Sequence, residues 1–450
     1  MAFTPKDWKD YPDTTTPITA AAIEDLETRL SAYTDGQRPG LTVTANDAAD
    51  LVAKLAQAGT AGGGDVYVPN GTYSLTTVTG PAVVRSGVRL RMAPLAIITQ
   101  AASQNMAALV ESYDYASQLS AYVSNAEKDF AIEGGTIDGN ASNNTGTTIG
   151  LRLYAYRYSV RDLRITNCDG QGFTSDWNDA SPATTGNMEA HISNVWISYC
   201  NNTGFLFQGP HDSVIESMQI ARITGGDGAY FSGKATGTQV TDMHTWSTTA
   251  GYGIKCETSL HFANCQAEGG LLGNVYVNSG IIWTGGRVFD KDTFGSSAHK
   301  GFVWGPNGFG CTISGVAVSE CNEGAFDFTA GTGGNSRINA NVWHSRASQS
   351  VVVGSPSDSV DWDLHVNFTS LTSVTATAST DRVNKTAHGL TNNQTIQLRS
   401  GFTGGTGLTA GTTYYVVNAT TNDFQVSLTN GGAAVDITVD GSNITLGSYL

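Results

Sequence analysis

Between Ile132 and about Ile338 one small pattern keeps returning, an apolar or small residue at i, i+3, i+5 and i+8. A chain built this way is confined to stacked repeats. The clearest copies are Val160-Leu163-Ile165-Cys168, Ile192-Val195-Ile197-Cys200, Ile215-Met218-Ile220-Ile223 and Ile313-Val316-Val318-Cys321, and looser ones start at Ile132, Val240, Phe262 and Ile282. Successive starts fall mostly about 22 to 32 residues apart, inside the window that marks solenoids. Within a copy, i+3 and i+5 share one face of a strand, whereas the steps from i to i+3 and from i+5 to i+8 break the period of two and demand bends. Short strands joined by bends along one axis describe an all-β, right-handed parallel β-helix. A leucine-rich repeat would need its Leu/Asn consensus, and a propeller would need longer four-stranded blades.

Composition fits many tight turns between half-buried strands: 53 Gly against only 14% charged residues. Cys168, Cys200 and Cys321 recur at one inward position, and Cys265 falls on another, so the six cysteines read as buried thiols rather than a disulfide framework. The net charge of -15, from 39 acidic and 24 basic residues without a Lys/Arg cluster, disfavours nucleic acid and anionic membranes as partners. The N-terminus lacks a basic stretch followed by an apolar one, and no apolar run is long enough to span a bilayer. A soluble chain, not exported by a signal and not inserted in a membrane, is expected.

Three segments flank the coils. Residues 1–40 begin with Trp8, Tyr11-Pro12 and Thr16-Pro17 and continue into a helical stretch with Ile23, Leu26, Leu30 and Tyr33 at a/d spacing and an Asp25–Arg29 pair. So short a helix needs partners, either copies of itself or the body of its own chain. Asn46 to Ala58 reads as an amphipathic helix with Ala49, Val52, Leu55 and Ala56 on one face, placed to cap the open end of a solenoid spanning 41–370. From 371 to 450 short alternating stretches (395–398, 414–417, 424–428 and 436–439) between Gly- and Asn-rich turns predict a small antiparallel β domain, with His388 as a turn residue.

Some of these segments resemble known families. The helix, Gly62-Gly63-Gly64 loop and Val66-Tyr67-Val68-Pro69-Asn70-Gly71-Thr72-Tyr73 resemble the opening of pectate-lyase-like β-helix proteins, and Gly135-Thr136-Ile137-Asp138-Gly139 resembles their recurring early coil. The run from Trp8 to Thr19 with the short helix ending Leu30-Ser31-Ala32-Tyr33-Thr34-Asp35-Gly36 resembles the N-termini of actinobacterial-phage minor tail proteins. Ala387-His388-Gly389-Leu390, followed by Thr413 to Asn418 and Asp423 to Val426, resembles a module common in phage virion proteins. The chain as a whole thus resembles a bacteriophage tailspike or tail fibre. That resemblance implies a virion protein, homotrimeric, joined to other tail or baseplate proteins through its N-terminus and meeting a host cell-surface polysaccharide. It leaves open a polysaccharide depolymerase, either glycoside hydrolase or lyase, and a purely structural tail-tip component.

Candidate residues follow from the coil alignment. Position i+4 must point outward and holds Thr136, Arg164, Trp196, Gln219, His244, Gln266 and Ala317, while i+7 adds Asn167, Tyr199, Arg222, Ser247 and Glu320. Arg164, Trp196, Tyr199, Arg222 and His244 would form a shelf on which sugar rings stack and hydroxyls find partners. Subunit interfaces are enriched in the same residue types, so the sequence leaves both uses open.

Two insertions break the coil length. The first, from Thr174 to Glu189, carries Asp176, Asp179, Glu189 and an exposed-looking Trp177, taken as a glycan contact; the second, from Asp290 to Lys300, carries Asp290 and Asp292. A glycosidase needs two carboxyl groups at about 5–5.5 Å for retention or 6.5–9.5 Å for inversion, and these acids are the candidates if the chain is an enzyme, although solvated loop acids are the simpler explanation. The paired polygalacturonase motifs and the acid cluster with Arg base of pectate lyases are missing, and Asp138 and Asp227 read as turn residues. No zinc-spaced Cys/His set, Walker loop or Gly-x-Ser-x-Gly elbow is present, so neither metal nor cofactor is expected.

Overall fold

The computed structural model describes residues 40–121, 126–177, 188–290, 300–321, 323–344, 351–368, 371–400, 403–404, 407–409 and 412–449. The N-terminal segment, including the stretch expected to form the a/d helix, lies outside the described residues, as do Asp179 and Asp292.

The repeat folds into a parallel β-helix of about twelve turns. Each regular coil contributes three short strands, and each strand pairs in parallel with its counterpart one coil on. In one coil these are His191–Ser193, Trp196–Ser198 and Phe205–Phe207, which pair with Val214–Glu216, Gln219–Ile223 and Ala229–Phe231. Three ladders therefore run along the axis around one continuous apolar core that extends from Val43 to Val366.

The bends have a clear backbone cause. Position i+2 is left-handed at Asp162, Asn194, Ser217 and Asp242, and position i+7 at Asn167, Tyr199, Arg222, Ser247 and Glu320. One αL residue turns the strand direction while keeping the flanking residues extended, which is why the period of two fails at these two steps. Small polar residues suit the first bend because Asx side chains tolerate αL and bond one another, as Asn194 Nδ2 does to Asp162 Oδ1 at 2.8 Å.

The inward columns are as the pattern predicts. Ile165, Ile197, Ile220 and Val318 are fully buried, as are Cys168, Cys200, Cys265 and Cys321. All six cysteines are buried free thiols, and burial pushes the Cys265 thiol up to about 12. The copy beginning at Ile282 is framed one residue early: Trp283 is the buried residue and Ile282 is 42% exposed. Three consecutive large apolar residues, Ile281-Ile282-Trp283, carry no alternation from which to choose the frame.

The capping helix spans Ala48–Thr60, with Asp47 accepting the Asp50 N–H at its N-terminus. It buries Leu51, Leu55 and Ala58, whereas Ala49 and Ala56 face out, so the expected face is turned by about one position. The far end carries a seven-stranded antiparallel sheet with its own core from Val374 to Leu446. Its last strand is Gly441–Tyr449; the expected stretch at 436–439 is not a strand, although Ile437 is buried there and donates its N–H to Asp381 Oδ1. His388 is a buried turn residue whose Nδ1 accepts the Leu390 N–H and whose Nε2 lies 3.2 Å from the Asp423 carbonyl.

Candidate functional site

The second ladder sets Thr136, Arg164, Trp196, Gln219, His244 and Gln266 in one outward register. Continuing that register, Gln266 pairs with Arg287 and Arg287 with Ala317, so Arg287 is the residue that the misframed copy hid. Trp196 is 40% exposed and Tyr199, three residues on, is 46% exposed. The Arg164 guanidinium lies 5.6 Å from the Trp196 ring centroid and that of Arg222 lies 5.0 Å from Tyr199, whose hydroxyl it also meets in a hydrogen bond. His244 Nε2 sits 3.0 Å from Glu268 Oε1 and 3.0 Å from Gln266 Nε2. Four of the five shelf residues thus pair through cation–π contacts, and His244 follows two coils beyond Trp196.

Tyr199 and Arg222 occupy the αL bend at φ 57°. A bulky L-residue pays about 1–2 kcal/mol for that conformation, and the preceding coil shows the low-strain choice, Asn167. Beside Tyr199 the surface falls into a polar notch of about 570 Å³ lined by Asp138, Asn140, Ser142, Asn167 and Asn201. Asp138 accepts the Asn140 N–H at 2.9 Å, an Asx turn as expected, and the Asn167 amide at 3.2 Å. Asp227 is held differently: it accepts the Tyr252 N–H from the next coil, and burial raises its carboxyl above the usual range.

Sequence reasoning missed Trp246. It stands two residues after His244 on the same strand and therefore on the same side; its ring packs 4.5 Å from His244 and meets Trp196 edge to face at 5.8 Å. The period of two inside that strand was signal enough to find it.

Two of the insertion acids, Asp176 and Asp290, are not where a solvated loop would put them. Asp176 closes the strand Phe173–Asp176, is 5% exposed, and accepts the Tyr115 hydroxyl in a short hydrogen bond; burial raises its carboxyl above the usual range. Trp177 is 4% exposed rather than displayed, packed 5.5 Å from Tyr154 and 5.1 Å from Tyr156 with Tyr115 and Met188 around it. The cause of both corrections is the short helix Tyr115–Ala121, which supplies Tyr115 to this satellite core. Asp290 follows the strand Arg287–Phe289 and is 1% exposed. Glu189 alone among the described insertion acids is exposed, and it lines a groove of about 700 Å³ with Asp65, Arg89 and the Asp129–Arg157 pair. Glu189 and Asp176 belong to separate places, the groove and the satellite core.

Among the described residues no group of three or more His, Cys, Asp or Glu side chains could hold a metal ion, and no helix is long and apolar enough to cross a membrane.

No protein-family model matches the sequence, and no curated protein matches it either. Solved structures match it in fold. The A-module of the mannuronan C-5 epimerase AlgE6 from Azotobacter vinelandii superposes on 72% of this chain and 96% of its own, with a TM-score of 0.53 at 12% identity. The Dettilon tailspike protein covers 89% of this chain and 90% of its own, with a TM-score of 0.48 at 11% identity. The tailspike of E. coli bacteriophage HK620, in complex with a pentasaccharide, covers 93% and 94%, with a TM-score of 0.45 at 12% identity. The chain is similar to phage tailspikes and to epimerase A-modules at low identity, a likeness of fold.

Proposed function

We propose that this protein is a phage tailspike or tail fibre protein that attaches the virion to a host cell-surface glycan. The observation that carries the reading is the outward shelf of the second ladder: Trp196 and Tyr199 stand exposed, each with an arginine against its ring, and Tyr199 and Arg222 are kept at strained bend positions. Strain held by surface residues that the core does not need points to use of those side chains. Aromatic faces take the C–H faces of sugars, and the flanking guanidinium, amide and imidazole groups take their hydroxyls.

In this reading residues 1–40 join three copies to one another and to neighbouring tail proteins, the β-helix of 41–370 presents the glycan surface, and 371–450 closes the distal end. The body would then be a rigid rod that keeps the shelf at a fixed place on the virion.

The test is co-sedimentation of the purified protein with isolated host wall polysaccharide, with new reducing or unsaturated ends followed in parallel. Binding lost in Trp196→Ala with no new ends supports adsorption. Steady release of oligosaccharides would make the protein a depolymerase, with Glu189 in its open groove as the first acid to replace. Neither binding nor release would leave a structural tail component.

A further inference from the structure

The second ladder has another outward column, two residues along each strand. Its register runs Ala221, Trp246, Glu268, Phe289, Ser319, Trp343. Aromatic residues therefore occupy every second coil, and a small or polar residue stands on each coil between. Trp196 continues the series in the neighbouring column, two coils before Trp246, and reaches it above the coil of the buried Ala221. None of these rings serves the core: Trp196 is 40% and Trp343 62% exposed, and Trp246 and Phe289 are half-buried on the outer side. His244 packs 4.5 Å from Trp246 and the Arg287 guanidinium lies over one face of the Phe289 ring, 3.9 Å from its centroid, so each of these rings, like Trp196, has a hydrogen-bond donor packed against it.

Coils are separated by the interstrand distance, so the positions of Trp246, Phe289 and Trp343 repeat at about 9.6 Å and cover four steps, or about 19 Å, whereas Trp196 leans onto Trp246 with ring centroids 5.8 Å apart and forms one site with it. One pyranose ring with its bridging oxygen advances an extended glycan by roughly one such step. When sugars are joined through equatorial bonds at positions 1 and 4, the chain is a two-fold ribbon: neighbouring rings are flipped, and every second ring turns the same face to one side.

We propose that this face binds a linear glycan of that class, laid parallel to the solenoid axis, with every second sugar on Trp246 (with Trp196 at its edge), Phe289 and Trp343 in turn. The flipped sugars between them lie over Glu268 and Ser319, where the carboxylate and hydroxyl accept from ring hydroxyls. The proposal rests on the adsorption reading above and adds to it the geometry and linkage class of the ligand.

The experiment uses the full-length protein and a size ladder made by partial acid hydrolysis of the same host wall polysaccharide, with affinity measured by calorimetry for each length and linkages assigned by methylation analysis. Affinity is expected to rise by disaccharide steps and level off at about five to six sugars. Trp343→Ala, at a 62% exposed position that leaves the fold intact, is expected to weaken long oligomers about five- to tenfold and to move the plateau down by one disaccharide. Ser319→Trp adds an aromatic out of period and is expected to bring no gain. Saturation at four sugars or fewer, equal effects from Ser319→Trp and from native platforms, or a helical or 1,6-linked ligand would overturn the alternate-coil geometry while Trp196-dependent adsorption stands. Loss of the oligomer in Trp343→Ala would assign the face to a second copy of the chain and overturn it too. Absence of binding by the intact protein, or binding indifferent to Trp196→Ala, would overturn the adsorption reading itself.

Discussion

Trp177 and Trp196 sit on two ladders of the same solenoid and have opposite fates. Trp177 follows a strand of the third ladder and is sealed by Tyr154, Tyr156, Tyr115 and Met188, whereas Trp196 stands on the second ladder, 40% exposed, with Arg164 against its ring and Trp246 at its edge. The difference lies in what covers each ladder. The third is packed at its strand Ile149–Tyr156 by the helix Tyr115–Ala121, and in that satellite core an acid and a tryptophan become buried residues. On the second, the outward aromatics stay partly exposed with polar partners packed against them, so that surface is available for recognition.

The largest effect separates the two tryptophans directly. Trp177→Ala is expected to cost about 3–5 kcal/mol and to lower the thermal midpoint by several degrees without changing adsorption per folded molecule. Trp196→Ala should stay within about 0.5 kcal/mol of the parent in the same melt while adsorption is lost. Equal melts for the two variants would break the comparison.

Next in size is the bond beneath the helix. Tyr115→Phe removes the donor to the buried Asp176 and is expected to cost about 1–3 kcal/mol, read from denaturant midpoints.

Two buried acids sharpen the contrast through pH, and the signs are opposite. Burial raises the Asp176 carboxyl, so the native state holds that proton more tightly than the unfolded one, and its contribution falls as pH rises from about 3.9 through the raised folded value. For Asp327, burial acts upward but is outweighed by the Lys300 ammonium at 2.7 Å and by the hydroxyl and N–H of Thr329; its carboxyl is lowered, and its contribution is present above about 3.9 and lost as pH falls through the folded value. Unfolding curves of Asp176→Asn and Asp327→Asn across pH 2 to 7 should therefore diverge from the parent in opposite directions, the first gaining and the second losing relative stability as pH rises.

Smaller still is the bend at Tyr199. Tyr199→Asn relieves the αL strain and is expected to stabilise the fold by up to about 1 kcal/mol while weakening adsorption, the trade expected of a residue kept for its surface. The smallest effect belongs to the solvent-exposed His191–Glu216 pair on the first ladder, where His191→Ala should change the melt by less than about 0.5 kcal/mol.

Much of this was legible before any coordinates. The i, i+3, i+5, i+8 pattern placed the inward Ile and Cys columns, the outward position of Arg164, Trp196 and His244, and the two bends, because strand alternation and the αL turn are local properties of a few residues. The same logic failed at Ile281-Ile282-Trp283, where an unbroken apolar run hides the frame and with it Arg287 and Phe289 as outward neighbours. It also failed at Asp176 and Trp177, whose polar, insertion-like context suggested solvent until a helix more than fifty residues earlier in the chain covered them.

The amino-acid sequence alone determined that this chain is a β-helix with an amphipathic cap and a second β module, since the period of its apolar residues admits few other ways of burying them. Which outward side chains are covered, and which fall into line on alternate coils, was decided by the tertiary structure. Cover and alignment are relations between residues some 20 to 60 positions apart, set by interstrand register and by the helix over the third ladder, and no local pattern encodes them.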